Sequence, residues 1–120
     1  MKILTDAVTL LVAALHIWFL VLEMFLWRKP IGIKAFRMSP EKAEATAVLA
    51  ANQGLYNGFL AAGLLASFVL ADPAQAQLFR VFFFGCVAIA GLFGAYSVSS
   101  RIFFIQALPA FVGLGLTMAS

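Results

Sequence analysis

One carboxylate, one imidazole and a small set of amides and phenols carry most of the chemistry this 120-residue chain can offer. Glu23 follows His16 by seven positions, which is two helical turns along one stripe. Asn52 and Tyr56 form one (i, i+4) pair, and Gln53 and Asn57 form the pair beside it. Tyr96, Arg101 and Gln106 complete the set. All of these lie in or beside strongly apolar runs. A carboxylate there must find a cation or take up a proton, so Glu23 is the natural acid/base or ion-pairing group. Its nearest plausible cations are Arg28 on its own helix and Arg101 from the turn between the last two helices. Tyr56 and Tyr96 are candidate catalytic hydrogen-bond donors, while Asn52, Gln53, Asn57, Arg101 and Gln106 are candidate ligand-orienting groups. His16 can be a hydrogen-bonding residue, a proton carrier or an axial ligand to haem. Each also has a plain structural use, because amides and phenols in membrane helices often join neighbours by hydrogen bonds worth about 1 kcal/mol or less.

The composition fixes the solvent. The chain is 64% hydrophobic and 11% charged, with mean hydropathy +1.04. Soluble domains are about half apolar and about a quarter charged. Thirteen charged side chains cannot cover the surface of a small water-soluble domain. Binding of nucleic acid is excluded with it, and the net charge of +3 reports membrane orientation instead. A single cysteine, Cys86, excludes an intrachain disulfide and reads as packing. One histidine excludes a multi-histidine metal site within the chain.

Four runs approach the roughly 20 apolar residues that cross a bilayer: residues 4–27, 45–70, 78–98 and 102–118. The first is too long for a signal-peptide core of about 7–15 residues and is read as a retained span. Arg28-Lys29-Pro30-Ile31-Gly32 ends it. Ser39-Pro40-Glu41 then starts the second helix near residue 40, and Asp72-Pro73 starts the third in the same way. Ser99-Ser100-Arg101 is short enough for a tight hairpin between the last two helices. Pro109 frees the carbonyl of Ile105 beside Gln106. The expectation is an all-α membrane protein: one domain of four antiparallel transmembrane helices, assembling as a homo-oligomer with a trimer favoured.

Six of the eight basic residues (Arg28, Lys29, Lys34, Arg37, Lys42 and Arg101) fall at one end, against Lys2 and Arg80 at the other. The positive-inside rule puts the first group in the cytoplasm and both termini outside it. Counting inward from that end at about 1.5 Å per residue places Glu23 roughly 6 Å deep and His16 roughly 17 Å deep. Asn52 and Gln53 lie roughly 10 Å in, with Tyr56 and Asn57 a turn deeper. Tyr96 lies just inside, and Gln106 at roughly 6 Å. The strongly polar groups thus gather in the cytoplasmic half. The outer half offers little beyond Thr9 and Ser67. Gly54 and Gly58 make a GxxxG packing face beside the amides.

The stretches Leu15-His16-Ile17-Trp18-Phe19, Glu23-Met24-Phe25-Leu26-Trp27 and Ala51-Asn52-Gln53-Gly54-Leu55-Tyr56-Asn57-Gly58-Phe59 resemble those of the small bacterial integral membrane proteins grouped as domain of unknown function 1304. Phe93-Gly94-Ala95-Tyr96 and Gln106-Ala107-Leu108-Pro109-Ala110 extend the resemblance over nearly the whole chain. It implies a bacterial inner-membrane protein and brings no reaction with it. A looser resemblance is to the membrane-associated eicosanoid and glutathione metabolism proteins, four-helix homotrimers whose second helix carries an Arg…Asn-x-x-Glu pattern for glutathione. Asn52 can take the Asn place, but Leu55 stands where the Glu would be and no Arg precedes it in that helix. This likeness implies a fold and a trimer, not glutathione chemistry.

The favoured expectation is a polar pocket in the cytoplasmic half that binds, and in one version transforms, a small lipophilic or amphipathic molecule among membrane lipids. A variant has His16 holding haem at a subunit interface, with the iron acting as a Lewis acid on an epoxide-type substrate. A proton-coupled exporter is the alternative, since very small multidrug transporters also carry one membrane Glu in their first helix. A structural or accessory subunit is the third possibility.

Overall fold

Prolines and caps set the helix starts where the sequence puts them. The computed structural model describes residues 1–120 and contains helices and no strands. The elements are α1 (Lys2–Met24), α2 (Pro30–Phe36), α3 (Pro40–Ala66), α4 (Pro73–Ser97), a π-helical turn (Phe103–Ala107) and α5 (Leu108–Ala119). Asp72 caps α4 by accepting the Ala74 amide at 2.9 Å, ahead of Pro73 at the first helical position. Ser39 accepts the Lys42 amide at 3.1 Å at the start of α3. The stretch after α1, expected to be loop, holds the seven-residue α2. Pro30 and Gly32 read as helix breakers, yet a proline at the first position begins a helix as readily as it ends one. Arg37 closes α2 with left-handed φ 51° and ψ 51°.

The chain divides into two compact units. One comprises residues 14–59 and the other residues 1–13 with 60–120. The first unit contains the C-terminal half of α1, α2 and the N-terminal part of α3. Here α1 stops at Met24, three residues before the expected Trp27. Trp27 donates its indole N–H to the Thr46 hydroxyl at 3.1 Å and packs its ring 4.7 Å from that of Phe36. Arg28 forms an exposed ion pair with Glu44 at 3.1 Å.

The second unit has an apolar core of Val12, Leu64, Phe84, Val87 and Ala110, together with small alanines. Gly91 of α4 lets the π turn approach, since a Cβ there would stand 2.5 Å from the Ala107 amide nitrogen. The π turn has a local cause. Pro109 has no N–H, so the α-helical ladder is broken at this point, and the Leu108 N–H reaches back five residues to the Phe103 carbonyl. Buried hydroxyls satisfy themselves within their own helices: Thr9 donates to the Thr5 carbonyl and Thr117 to the Gly113 carbonyl, each at 2.7 Å.

Helices α1 and α4 are long and apolar enough to cross a membrane. The π turn and α5 together make a shorter apolar helix. Helix α3 has the length, but charges at its start and amides at its middle dilute its apolar character. Outward-facing apolar side chains are abundant on several helices, including Ile3, Val48, Ile89 and Phe93. Apolar surface on this scale is rare on a monomeric soluble protein.

Candidate functional site: a buried carboxylate held by two amides

Two glycines on α3 bring it against the end of α1. A Cβ on Gly54 would stand 2.7 Å from Met24 Cγ and 3.0 Å from Glu23 Cβ; one on Gly58 would stand 2.6 Å from Leu20 Cδ1. With hydrogen at these positions the helices close, and the side chains beside the glycines reach across. Gln53 Nε2 donates to Glu23 Oε2 at 2.7 Å, and Asn57 Nδ2 donates to Glu23 Oε1 at 2.5 Å. Each carboxyl oxygen therefore receives one amide N–H. Glu23 is 3% exposed although it is the penultimate residue of α1. Packing by α3 buries it, more than depth along its own helix does.

No ion pair forms at this carboxylate. Arg28, one of the two candidate cations, pairs with Glu44 instead, at an exposed position. The two amides are neutral, so they orient the carboxylate without cancelling its charge. They also suit either protonation state, because an amide can offer N–H to a carboxylate or, turned over, C=O to a carboxylic acid.

The remaining candidates are distributed as follows. His16 is 1% exposed and meets Phe19 edge-on, with ring centroids 5.2 Å apart. So closed a ring has no open edge for a group the size of a porphyrin, and the residues here do not fit haem. Asn52 and Tyr56 face outward from α3, Tyr56 with 56% of its surface exposed and its ring 6.0 Å from that of Phe59. Tyr96, Arg101 and Gln106 belong to the other unit. There Tyr96 is 90% exposed, Arg101 is exposed, and Gln106 is half-buried within the π turn. Within residues 14–59, then, Glu23, Gln53 and Asn57 come together, and Asn52 and Tyr56 stand apart from them.

A second polar cluster, in the unit of residues 1–13 and 60–120, joins Asp6, Arg80 and Ser67. By its position Arg80 reads as a topology marker, and Asp6 does not stand out. The signal was available: an arginine seven residues past Pro73, inside an apolar helix, needs a partner, and Lys2 and Asp6 already sit at salt-bridge spacing.

These features define an all-helical protein with two helices of membrane-spanning character and a buried carboxylate clasped by two amides. The chain belongs to the family described as "Protein of unknown function (DUF1304)", whose model matches residues 10–118. A similar protein is the "Uncharacterized protein YpaA" of Lactococcus lactis subsp. lactis (strain IL1403), 31% identical over 108 residues that cover 88% of this chain and 89% of the relative. No solved structure matches this chain.

Proposed function

We propose that this is a bacterial inner-membrane protein of four spanning helices that binds a small amphipathic molecule through Glu23, in the cytoplasmic half of the bilayer. The observation that carries this reading is the state of Glu23. It is buried, each oxygen is held by a neutral amide, and no basic side chain pairs with it. A carboxylate arranged in this way is complementary to a lipophilic ammonium ion or to a proton. Gln53 and Asn57 are the orienting groups. The six cations of the basic end lie in the cytoplasm, and the Lys2 end of α1 lies outside.

The outward face of α3 gives the assembly its place in this reading. Val48, Leu49, Leu55, Tyr56 and Phe59 are all exposed, and the Asn52 amide lies among them. An amide is a poor partner for lipid chains and a good one for another amide. A second copy of the chain is the occupant of this face, in a trimer that brings Asn52 and Tyr56 against neighbouring chains. Particle mass in detergent tests this: about three chain masses are expected, and a monomer would refute it.

Dodecylammonium supplied to the protein in phosphatidylcholine nanodiscs tests the ligand site. Saturable binding is expected in the wild type, weakened at least tenfold in Glu23→Gln. Equal binding by both proteins would remove Glu23 from the site. The exporter reading draws on the same ion-pair-free carboxylate, and it requires proton-driven movement of the probe across vesicles. Binding without such movement selects the first reading.

A further inference from the structure

Arg80 sits in α4 with its side chain only 13% exposed. Its Nη1 donates to Asp6 Oδ1 at 2.9 Å and its Nε to Ser67 Oγ at 2.8 Å, while its Cζ lies 4.6 Å from the Phe68 ring centroid. The other Asp6 oxygen is taken by Lys2 Nζ at 3.0 Å. This group borders a cavity of about 440 Å³. Its walls also include Phe68, Pro73, Ala76 and Gln77.

Arg80 has N–H donors to spare at this wall. A guanidinium carries five N–H donors and an ammonium three. Arg80 uses two and Lys2 one, against a carboxylate whose two oxygens are each already taken. Arg80 and Lys2 are the basic side chains of the lining and Asp6 its one acidic side chain, with Arg80 the enclosed cation and Lys2 at the open rim. A simple structural pair needs only Asp6 and Arg80. The remaining lining is largely apolar, and the volume falls in the roughly 300–1,000 Å³ range of small-molecule sites, well above the needs of a bare inorganic anion.

We propose that the cavity beside Arg80, Asp6 and Lys2 binds an amphiphile with an oxyanion head, the head on the Arg80 and Lys2 N–H groups and the apolar body along Phe68, Pro73 and Ala76. A carboxylate or a phosphate ester meets the donor set equally well, so a free fatty acid and an anionic phospholipid are two sources of one chemistry. None of Glu23, Gln53 and Asn57 takes part, and the two sites stand or fall separately.

The test is equilibrium binding of labelled decanoate to the full chain in phosphatidylcholine nanodiscs, with empty nanodiscs as reference. One saturable site per chain is expected, with decanol bound at least tenfold more weakly. Lys2→Gln should weaken decanoate several-fold, and Ala76→Trp, which fills the cavity and leaves the charges in place, should abolish the site. Arg80→Gln should abolish it too, and the other two variants keep the test sound if Arg80→Gln misfolds. Loss of the decanoate site on doping the discs with phosphatidylglycerol identifies a lipid headgroup as the source, and its persistence identifies a free acid. Decanol binding as well as decanoate, inorganic phosphate displacing decanoate at equal concentration, or full binding by Ala76→Trp would each overturn the proposal.

Discussion

Asn57 donates its amide N–H to Glu23 Oε1 across 34 positions of sequence, and Gln53 does the same for Oε2 from one turn earlier on α3. The contact belongs to a polar seam that continues to Trp27–Thr46 and Arg28–Glu44. From Arg28 back through Trp27 to Glu23 at the end of α1, the partners move toward the C-terminus on α3, as an antiparallel approach requires. The seam fixes the register of the two helices and leaves Glu23 at its buried end.

Asn57→Ala leaves Glu23 with a single amide donor. Hydrogen bonds to charged groups in proteins are worth about 1.5–3 kcal/mol, while interhelical ones within membranes average about 0.6 kcal/mol. A loss of about 1–2 kcal/mol is expected in detergent unfolding. Asn57→Asp should be worse, since it faces one carboxylate with another.

Gly54→Leu should disrupt the seam without removing any polar group. Its side chain would meet Met24 and the Cβ of Glu23, and overpacking of this kind costs about 1–3 kcal/mol. The expected outcome is lower thermal stability together with loss of ligand binding. Gly115→Leu, at a position with open space around its Cα, is the control that should do neither.

Arg28→Ala and Glu44→Ala should change stability by less than about 1 kcal/mol, because both partners of this ion pair are well exposed. Ligand binding at Glu23 should also survive Arg28→Ala. If binding falls sharply instead, Arg28 reaches the carboxylate in the working state.

Topology is open to cysteine labelling in a Cys86→Ala background. Lys34→Cys should react with an impermeant maleimide only from the cytoplasmic side, and Gln75→Cys only from the outer side. The reverse pattern would invert the orientation on which the depth of Glu23 rests.

The comparison of Asn52 and Tyr56 with Gln53 and Asn57 shows how far sequence alone reaches. Both pairs have the (i, i+4) spacing and the same depth, so spacing marks two stripes of equal merit. One residue rotates a helix by about 100°, and only packing against α1 decides which stripe meets Glu23. Gly54 and Gly58, one position further round, carried that information, since a helix closes on its smallest residues. Arg28 is near Glu23 in sequence, but it lies beyond the end of α1 and reaches outward to Glu44. The helix starts at Pro40 and Pro73 were legible because cap chemistry is local. Helix α2 was not, because its starting proline and its glycine have the same signature as a turn. The Asp6–Arg80 pair spans 74 positions: that an arginine inside an apolar helix needs a partner is legible, but which residue supplies it is not.

The most direct measurement is infrared difference spectroscopy of the protein labelled with ¹³C-glutamate in nanodiscs, on addition of dodecylammonium. The chain has three glutamates, Glu23, Glu41 and Glu44, so the labelled carboxyl bands are few enough to assign. A ligand-induced change in those bands is expected, present in the Glu41→Gln/Glu44→Gln double variant and absent in Glu23→Gln. Bands that do not respond to the amine, or a response that survives in Glu23→Gln, would contradict the assignment of Glu23 as the ligand-binding group.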